Sequence, residues 1–474
     1  MTERIAVVLA AGKGTRMVSD LPKVLHRAAG RPLLGWVLDA ARQAGCGRIL
    51  VVVGHGAEAV RAAFSGEGNA DLTWVLQAEQ RGTGHALAQV EPYVGTAAAT
   101  LLVLSGDVPL VTPGTLARLA DLAAEGWGAL AVAEPADPGA LGRVISADLG
   151  SGGTLRRIVE ARDATPEERQ IRRINAGLYA LPAPAVFGYL SRLSPQNAQG
   201  ELYLTDALTD AAADGNALRL LPLADPEEAL GVNHRGELAQ VHRRLLDRHL
   251  ETLMLSGVTV LEPARTVVEP GVTVGVDSVL HPGVTLLGAS RIGGGCTLHT
   301  GAWLSNTVLG EGVEVLPYSV LDGAVIDEGC RVGPFARLRP ASHLHPGARV
   351  GNFVEVKNSE LGPNSKAGHL AYLGDAVVGT GANIGAGVVT CNYDGVRKSR
   401  TEIGAGAFIG SDTLLVAPVR VGDGATTAAG SVITKEVPPG ALAVGRVRQK
   451  NLPGRLGSRR KSENPPKNEE EETS

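Results

Sequence analysis

The sequence predicts two unlike domains, an α/β layer with a parallel sheet followed by a solenoid of short parallel strands. Two patterns carry this prediction. From about Val268 to Ile433 apolar residues recur at every sixth position, as in Val274, Leu280, Leu286, Ile292, Leu298 and Leu304. No helix or hairpin has that period, whereas a solenoid does, because each strand and corner returns the same side chain to the interior. In the first half, short aliphatic runs alternate with amphipathic stretches, the signature of a parallel sheet covered by helices.

Taken in order, Arg4–Ala11 reads as a buried parallel strand closed by Gly12. The segment from Pro32 to Ala44 is amphipathic, Ile49–Val53 is a second strand, and Thr100–Leu104 is a third, ending in Ser105-Gly106-Asp107. This Rossmann-like domain is expected over residues 1–234. Residues 235–256 then place Leu238, Val241, Leu245, Leu246, Leu250 and Leu253 at helical spacing. A helix of about 20 residues reaches roughly 30 Å, enough to act as a rigid strut. The solenoid is expected over 257–456. Glycine often follows its apolar position, as at Ile292-Gly293, Val332-Gly333 and Val421-Gly422, which suits tight corners. Cys391–Arg400 breaks the period and reads as an inserted loop. The tail, 457–474, carries charge and proline without apolar anchors and reads as disordered.

A chain of 474 residues is too long for one core. With 62 glycines and 3% aromatics its interior should be built from small aliphatics. A net charge of -4 gives no electrostatic case for nucleic acid or an anionic membrane. Cys46, Cys296, Cys330 and Cys391 lack metal-site spacing and read as thiols of a reducing compartment. No apolar run reaches spanning length, so a cytoplasmic protein is expected.

The chemistry of the first half gathers around the turn after the first strand. Gly12-Lys13-Gly14 can present backbone N–H groups to phosphate, although it is neither a P-loop nor a dinucleotide fingerprint. Arg16 and Lys23 bring positive charge to the same neighbourhood. Asp107, at the carboxyl end of another strand, is placed to hold a divalent cation against phosphate oxygens.

These residues carry a resemblance. LAAGKGTRM followed by LPK is similar to the signature of sugar-1-phosphate nucleotidyltransferases, and QAEQRGTGHA, GDVPL, IVEARDA, INAGLY and GVNHR narrow it. Together they resemble the uridylyltransferase half of the bifunctional GlmU family. The resemblance implies that Leu9, Ala10, Ala11 and Gly12 form the nucleotide-sugar loop with Ser105 and Gly106, and that Gln77, Gly82 and Thr83 read uracil. It further implies that Gly142, Glu160 and Asn175 hold the amino sugar, and that Asp107 and Asn233 share Mg²⁺. Arg16 and Lys23 would be the catalytic cations for attack of N-acetylglucosamine 1-phosphate on UTP. Ser105 departs from the pattern, since the family commonly has tyrosine there.

In the second half RLRP, NFVEVK, SKAGHLAYLGD, NIGAG, CNYDG and GSDT are similar to the acetyltransferase half of the same family. That match makes His369 the general base for acetyl transfer from acetyl-CoA to glucosamine 1-phosphate, with Glu355 expected to orient it. It assigns Arg339, Lys357, Tyr372 and Asn383 to the acetyl acceptor. It assigns Ala386, Asn392, Tyr393, Ser411, Ala429 and Arg446 to acetyl-CoA. The family's coil is a left-handed parallel β-helix, and its clefts lie between subunits, so a homotrimer is implied. The competing readings are a monofunctional sugar-1-phosphate nucleotidyltransferase with a β-helix used only for trimerisation, and a scaffold that binds nucleotide sugar without turnover.

Overall fold

The computed structural model describes residues 2–96, 98–139, 141–148, 153–197 and 200–453. The expected disordered tail lies outside them. The chain divides into two compact units, the first comprising Met1–Val274 with Thr285–Ser290, the second Gly275–Val284 with Arg291–Ser474.

The first unit is built on a sheet of β1 (Glu3–Ala10), β2 (Arg48–Val53), β3 (Leu72–Leu76), β4 (Ala99–Ser105), β5 (Gly128–Ala133), β6 (Ile174–Ala183) and β7 (Leu218–Pro222). Their order is β7-β5-β6-β4-β1-β2-β3. Alternate residues of β1 serve opposite faces. Ala6 and Val8 pack under α1 (Leu33–Gln43) and α2 (Pro113–Ala123), while Ile5 and Val7 pack under α3 (Leu204–Ala213). The apolar runs of β1 and β2 are buried on both sides, as parallel strands between helices must be. The sheet is not wholly parallel. β6 runs antiparallel to both β4 and β5. Among the described residues, chain leaving β5 returns through the antiparallel pair Arg143–Ser146 and Leu155–Val159 and the short helix Pro166–Arg169, and enters β6 antiparallel to β5.

α4 (Arg235–Leu255) forms as its spacing predicts. Its first turn is closed by a capping box in which the His234 ring accepts from Glu237 N–H and the Glu237 carboxylate accepts from His234 N–H. It is not a free-standing strut. Val241, Leu245 and Leu246 are buried with Met17, Ala28, Leu33, Leu110 and Val232 of the same unit. Each such side chain contributes about 1.5–3 kcal/mol of burial, so the helix is held by packing along its apolar stripe.

In the second unit short strands stack in three parallel sheets. Leu280 lies opposite Leu298, and Leu298 opposite Val315, so three six-residue steps complete one coil. Leu280, Ile292, Leu298 and Leu304 are all buried, as is Leu286 of the first unit, which explains the period read from sequence. Several corners take positive φ without glycine. Tyr318, Phe335 and Phe353 occupy successive corners at φ 57, 54 and 56, and their rings stack at 5.6 and 5.5 Å. Ring stacking offsets the strain of that backbone region.

Candidate active sites

In the first unit the predicted cations and oxygen donors meet at the carboxyl edge of the sheet. β1 and β4 are neighbours, with Leu9 opposite Ser105, and Gly106 N–H donates to the Leu9 carbonyl at 2.9 Å. A β-carbon at Gly106 would stand 3.3 Å from both Ala10 Cβ and that carbonyl, so glycine permits the close approach. Gly14, at φ 60, faces the same demand, because a β-carbon there would lie 2.7 Å from Lys23 Cβ. The turn is thereby shaped to bring Lys23 inward. Gly12, by contrast, has open space beside it, as a phosphate-facing loop requires.

The Lys23 ammonium is ion-paired with the Asp107 carboxylate and lies 3.4 Å from Asn233 Oδ1. Arg16 donates to the same amide oxygen at 2.9 Å. Asp107 and Asn233 are held in register by their own backbone, since Val232 N–H donates to the Asp107 carbonyl. Asn233 N–H donates in turn to Glu237 of the capping box at 2.6 Å. A carboxylate oxygen and an amide oxygen therefore converge on one positive charge. These are hard oxygen donors, and the arrangement fits a hard divalent cation.

Further along the same sheet, Gln77 follows β3 and is 2% exposed. Its Nε2 donates to the Gly82 carbonyl at 3.2 Å and lies 3.0 Å from His85 Nδ1. Gly82 adopts φ 109, and a β-carbon there would meet the Leu202 carbonyl oxygen at 2.5 Å. The Thr83 hydroxyl accepts from Leu204 N–H at 3.1 Å. Asn175 N–H donates to the Gly142 carbonyl at 2.9 Å, and its side-chain amide donates to the buried Tyr179 hydroxyl at 2.6 Å. Glu160 accepts from the Thr205 hydroxyl at 3.1 Å, with its oxygens 3.4 Å from where a Gly142 β-carbon would stand. Burial raises the Glu160 carboxyl above its usual range, and the Thr205 bond opposes the rise only in part. Ser105 Oγ lies 3.7 Å from a would-be β-carbon of Gly177, whose N–H donates to Asn175 Oδ1 at 3.0 Å.

In the second unit His369 ends the strand Lys366–His369. Its partner is not Glu355 but Asn352, one coil earlier and directly opposite in register, with Nδ1 2.6 Å from Asn352 Oδ1. An amide oxygen only accepts, so Nδ1–H is the donor in this contact and Nε2 is the nitrogen left to meet a substrate. Glu355 is opposite Tyr372 on the next face and binds the Arg339 guanidinium at 3.0 Å. The coil length of 17 residues there, which separates Asn352 from His369, was the signal that would have found this partner in NFVEVK.

The remaining residues sort by edge. Leu370, next to His369, accepts from Gly387 N–H, Ala386 from Asp412 N–H, and Ser411 from Gly430 N–H. Arg446 donates to the Ala429 carbonyl at 2.8 Å. His369, Ala386, Ser411, Ala429 and Arg446 thus follow one edge of the coil, with Arg339, Lys357 and Tyr372 on the face beside it. Asn383 lies opposite Lys366 on the face before that edge. Asn392 and Tyr393 do not join them. They open the inserted loop, which connects the strands Val389–Cys391 and Thr401–Ile403 at a different edge. There the Asn392 amide donates to Asp375, and Asn358 donates to the other oxygen of the same carboxylate at 2.5 Å. Burial alone would raise Asp375, but these two amides with Lys357 and Lys398 hold it below the usual carboxylate range.

Comparison with known proteins adds an independent line. Residues 6–188 match the MobA-like NTP transferase domain family. The protein named bifunctional protein GlmU from Pelobacter propionicus is 45% identical over 95% of this chain and 97% of its own length. Its namesake from Alkalilimnicola ehrlichii is 48% identical over 94% of this chain and 95% of its own. A crystal structure of UDP-glucose pyrophosphorylase with UDP-glucose overlays with TM-score 0.43 at 20% identity, covering 52% of this chain and 98% of that one. That likeness is too distant to carry an argument.

Proposed function

The chain belongs to the GlmU family, and from that premise we infer how its two sites make UDP-N-acetylglucosamine. It is a bifunctional transferase, with a nucleotidyltransferase domain followed by a left-handed parallel β-helix. The β-helix transfers acetyl from acetyl-CoA to glucosamine 1-phosphate. The α/β domain then joins the product to UTP with release of pyrophosphate. Relatives matched over nearly their whole length bear the bifunctional name, which disfavours a prop used only for trimerisation.

In acetyl transfer the sugar amine attacks the thioester carbonyl. His369 Nε2 takes the amine proton as the N–C bond forms, and returns it to the departing thiolate as the C–S bond breaks. Asn352 holds the imidazole for both transfers. Arg339 and Lys357 bind the sugar phosphate, while Tyr372 and Asn383 fix the ring. Ala386, Ser411, Ala429 and Arg446 seat acetyl-CoA along their shared edge. Asn392 and Tyr393 sit at another edge of the same coil, and a second copy of the chain supplies them to the cleft. That requirement supports a homotrimer.

In uridylyl transfer the phosphate of N-acetylglucosamine 1-phosphate attacks the α-phosphate of UTP, and the demand is for positioning and neutralised charge. Lys23 and Arg16 supply positive charge beside the loop formed by Leu9, Ala10, Ala11 and Gly12. Gln77, Gly82 and Thr83 hold uracil, and Gly142, Glu160 and Asn175 hold the sugar with Ser105 alongside. Asp107 and Asn233 would hold Mg²⁺, which when bound would neutralise part of the phosphates' negative charge. No described helix is long and apolar enough to cross a membrane, and these substrates suit the cytoplasm.

The observation that carries the reading is the meeting of Arg16, Lys23, Asp107 and Asn233 from three separate stretches of chain. His369→Ala is expected to abolish release of free thiol from acetyl-CoA while leaving pyrophosphate release near wild type. Asp107→Ala is expected to do the converse. Loss of both activities in either folded variant overturns the assignment of separate sites.

A further inference from the structure

Away from both sites the β-helix gathers a second set of ligand side chains. Strand Val325–Ile326 pairs with His343–Leu344, placing Val325 opposite His343 and Ile326 opposite Leu344. Leu344 is fully buried, so His343 and His345, one residue to either side, project outward together. The same register sets Asp327 beside His345, and Asp327 N–H donates to the Leu344 carbonyl at 2.8 Å. One carboxylate oxygen, Asp327 Oδ2, lies 3.0 Å from His343 Nε2 and 3.3 Å from His345 Nδ1. The three ligand atoms lie within 4.8 Å of one another. Beneath them the Cys330 thiol donates to the His345 carbonyl at 3.1 Å, which steadies the backbone that carries this ring.

We propose that Asp327, His343 and His345 form a binding site for a divalent transition ion of the Zn²⁺ class. The chemistry of the donors favours such an ion over Mg²⁺ or Ca²⁺, because two imidazoles and one carboxylate suit a borderline-soft cation. The geometry agrees. Bonds of about 2.0–2.1 Å at tetrahedral angles place ligand atoms roughly 3.3 Å apart, near the two separations present between the carboxylate and the rings. The site is reachable, since the three side chains are 29–36% exposed. It lies on the sheet that carries neither His369 nor Tyr372. Three protein ligands leave coordination positions for water or for a group from outside. Bound there, the ion ties Asp327 to the histidines of the following coil.

The test uses the full chain freed of metal by a chelator, dialysed, and held in excess Mg²⁺ so that the oxygen-rich site at Asp107 is saturated. Co²⁺ alone is the probe, followed by its visible absorption. The expected result is one equivalent per chain with the intense bands of low-coordinate, nitrogen-ligated Co²⁺, displaced by Zn²⁺. His343→Ala and Asp327→Ala are expected to weaken binding by at least about tenfold, since even outer partners of a ligand cost that much. Both variants should keep thiol release from acetyl-CoA, which shows that the coil remains folded. Absence of stoichiometric binding, or bands unchanged in both folded variants, overturns the proposal.

Discussion

Replacing Asn352 by alanine removes the side chain that holds the His369 ring. The bond is short, 2.6 Å from Oδ1 to the ring Nδ1, and it becomes a bond to a charged donor when the imidazole accepts the amine proton. Hydrogen bonds to charged groups contribute about 1.5–3 kcal/mol. His369 is exposed, so the lower end applies, and about 1.4 kcal/mol is tenfold in rate. Asn352→Ala is therefore expected to lower kcat for acetyl transfer by roughly tenfold, with KM for glucosamine 1-phosphate little changed. Uridylyl transfer should be untouched. Asn352→Asp, which keeps an acceptor, is expected to recover most of the loss. Glu355→Gln should act differently, raising KM for the sugar phosphate by freeing Arg339 from its 3.0 Å ion pair. Steady-state kinetics of thiol release decide the matter. Full kcat in folded Asn352→Ala, with kcat lost instead in Glu355→Gln, would refute the reasoning and restore Glu355 as the orienting group.

Lys23→Met is expected to cut uridylyl transfer by about 10²–10³-fold, the scale of losing one preorganised charge-stabilising group, and pyrophosphate release measures it. In the folded protein the Glu160 carboxyl is raised by burial, so its charged form is disfavoured there. The stabilisation linked to its protonated form is present below the unfolded value and is lost as pH rises through the folded one. Glu160→Gln should accordingly raise Tm at pH 8, with the difference vanishing in acid, while KM for N-acetylglucosamine 1-phosphate increases. A Tm that falls at pH 8 refutes the sign. Gly82→Ala meets the Leu202 carbonyl oxygen and demands φ 109 of a residue with a β-carbon; KM for UTP should rise, and wild-type KM would show that the turn is free to shift.

Much of this protein is legible in its residues. The six-residue recurrence of Leu280, Leu286, Ile292, Leu298 and Leu304 allows only a coil that turns three times before repeating, because each must reach the same interior. The aliphatic runs of β1 and β2 likewise announce strands buried on both faces. Spacing alone does not decide which polar side chains meet. Leu280 and Leu298 are partners across 18 residues, Asn352 and His369 across 17, and that one-residue difference in coil length puts Asn352 rather than Gly351 opposite His369, while Glu355 faces Tyr372. Nor does it decide that α4 buries its stripe against Met17 and Leu110, or that Asn392 and Ala386 fall on different edges. The meeting of Lys23 with Asp107 and Asn233 spans more than half of the first unit. Period is a local property that repeats along the chain, whereas the pairing of polar groups depends on register and closure, which exist only once the chain has folded.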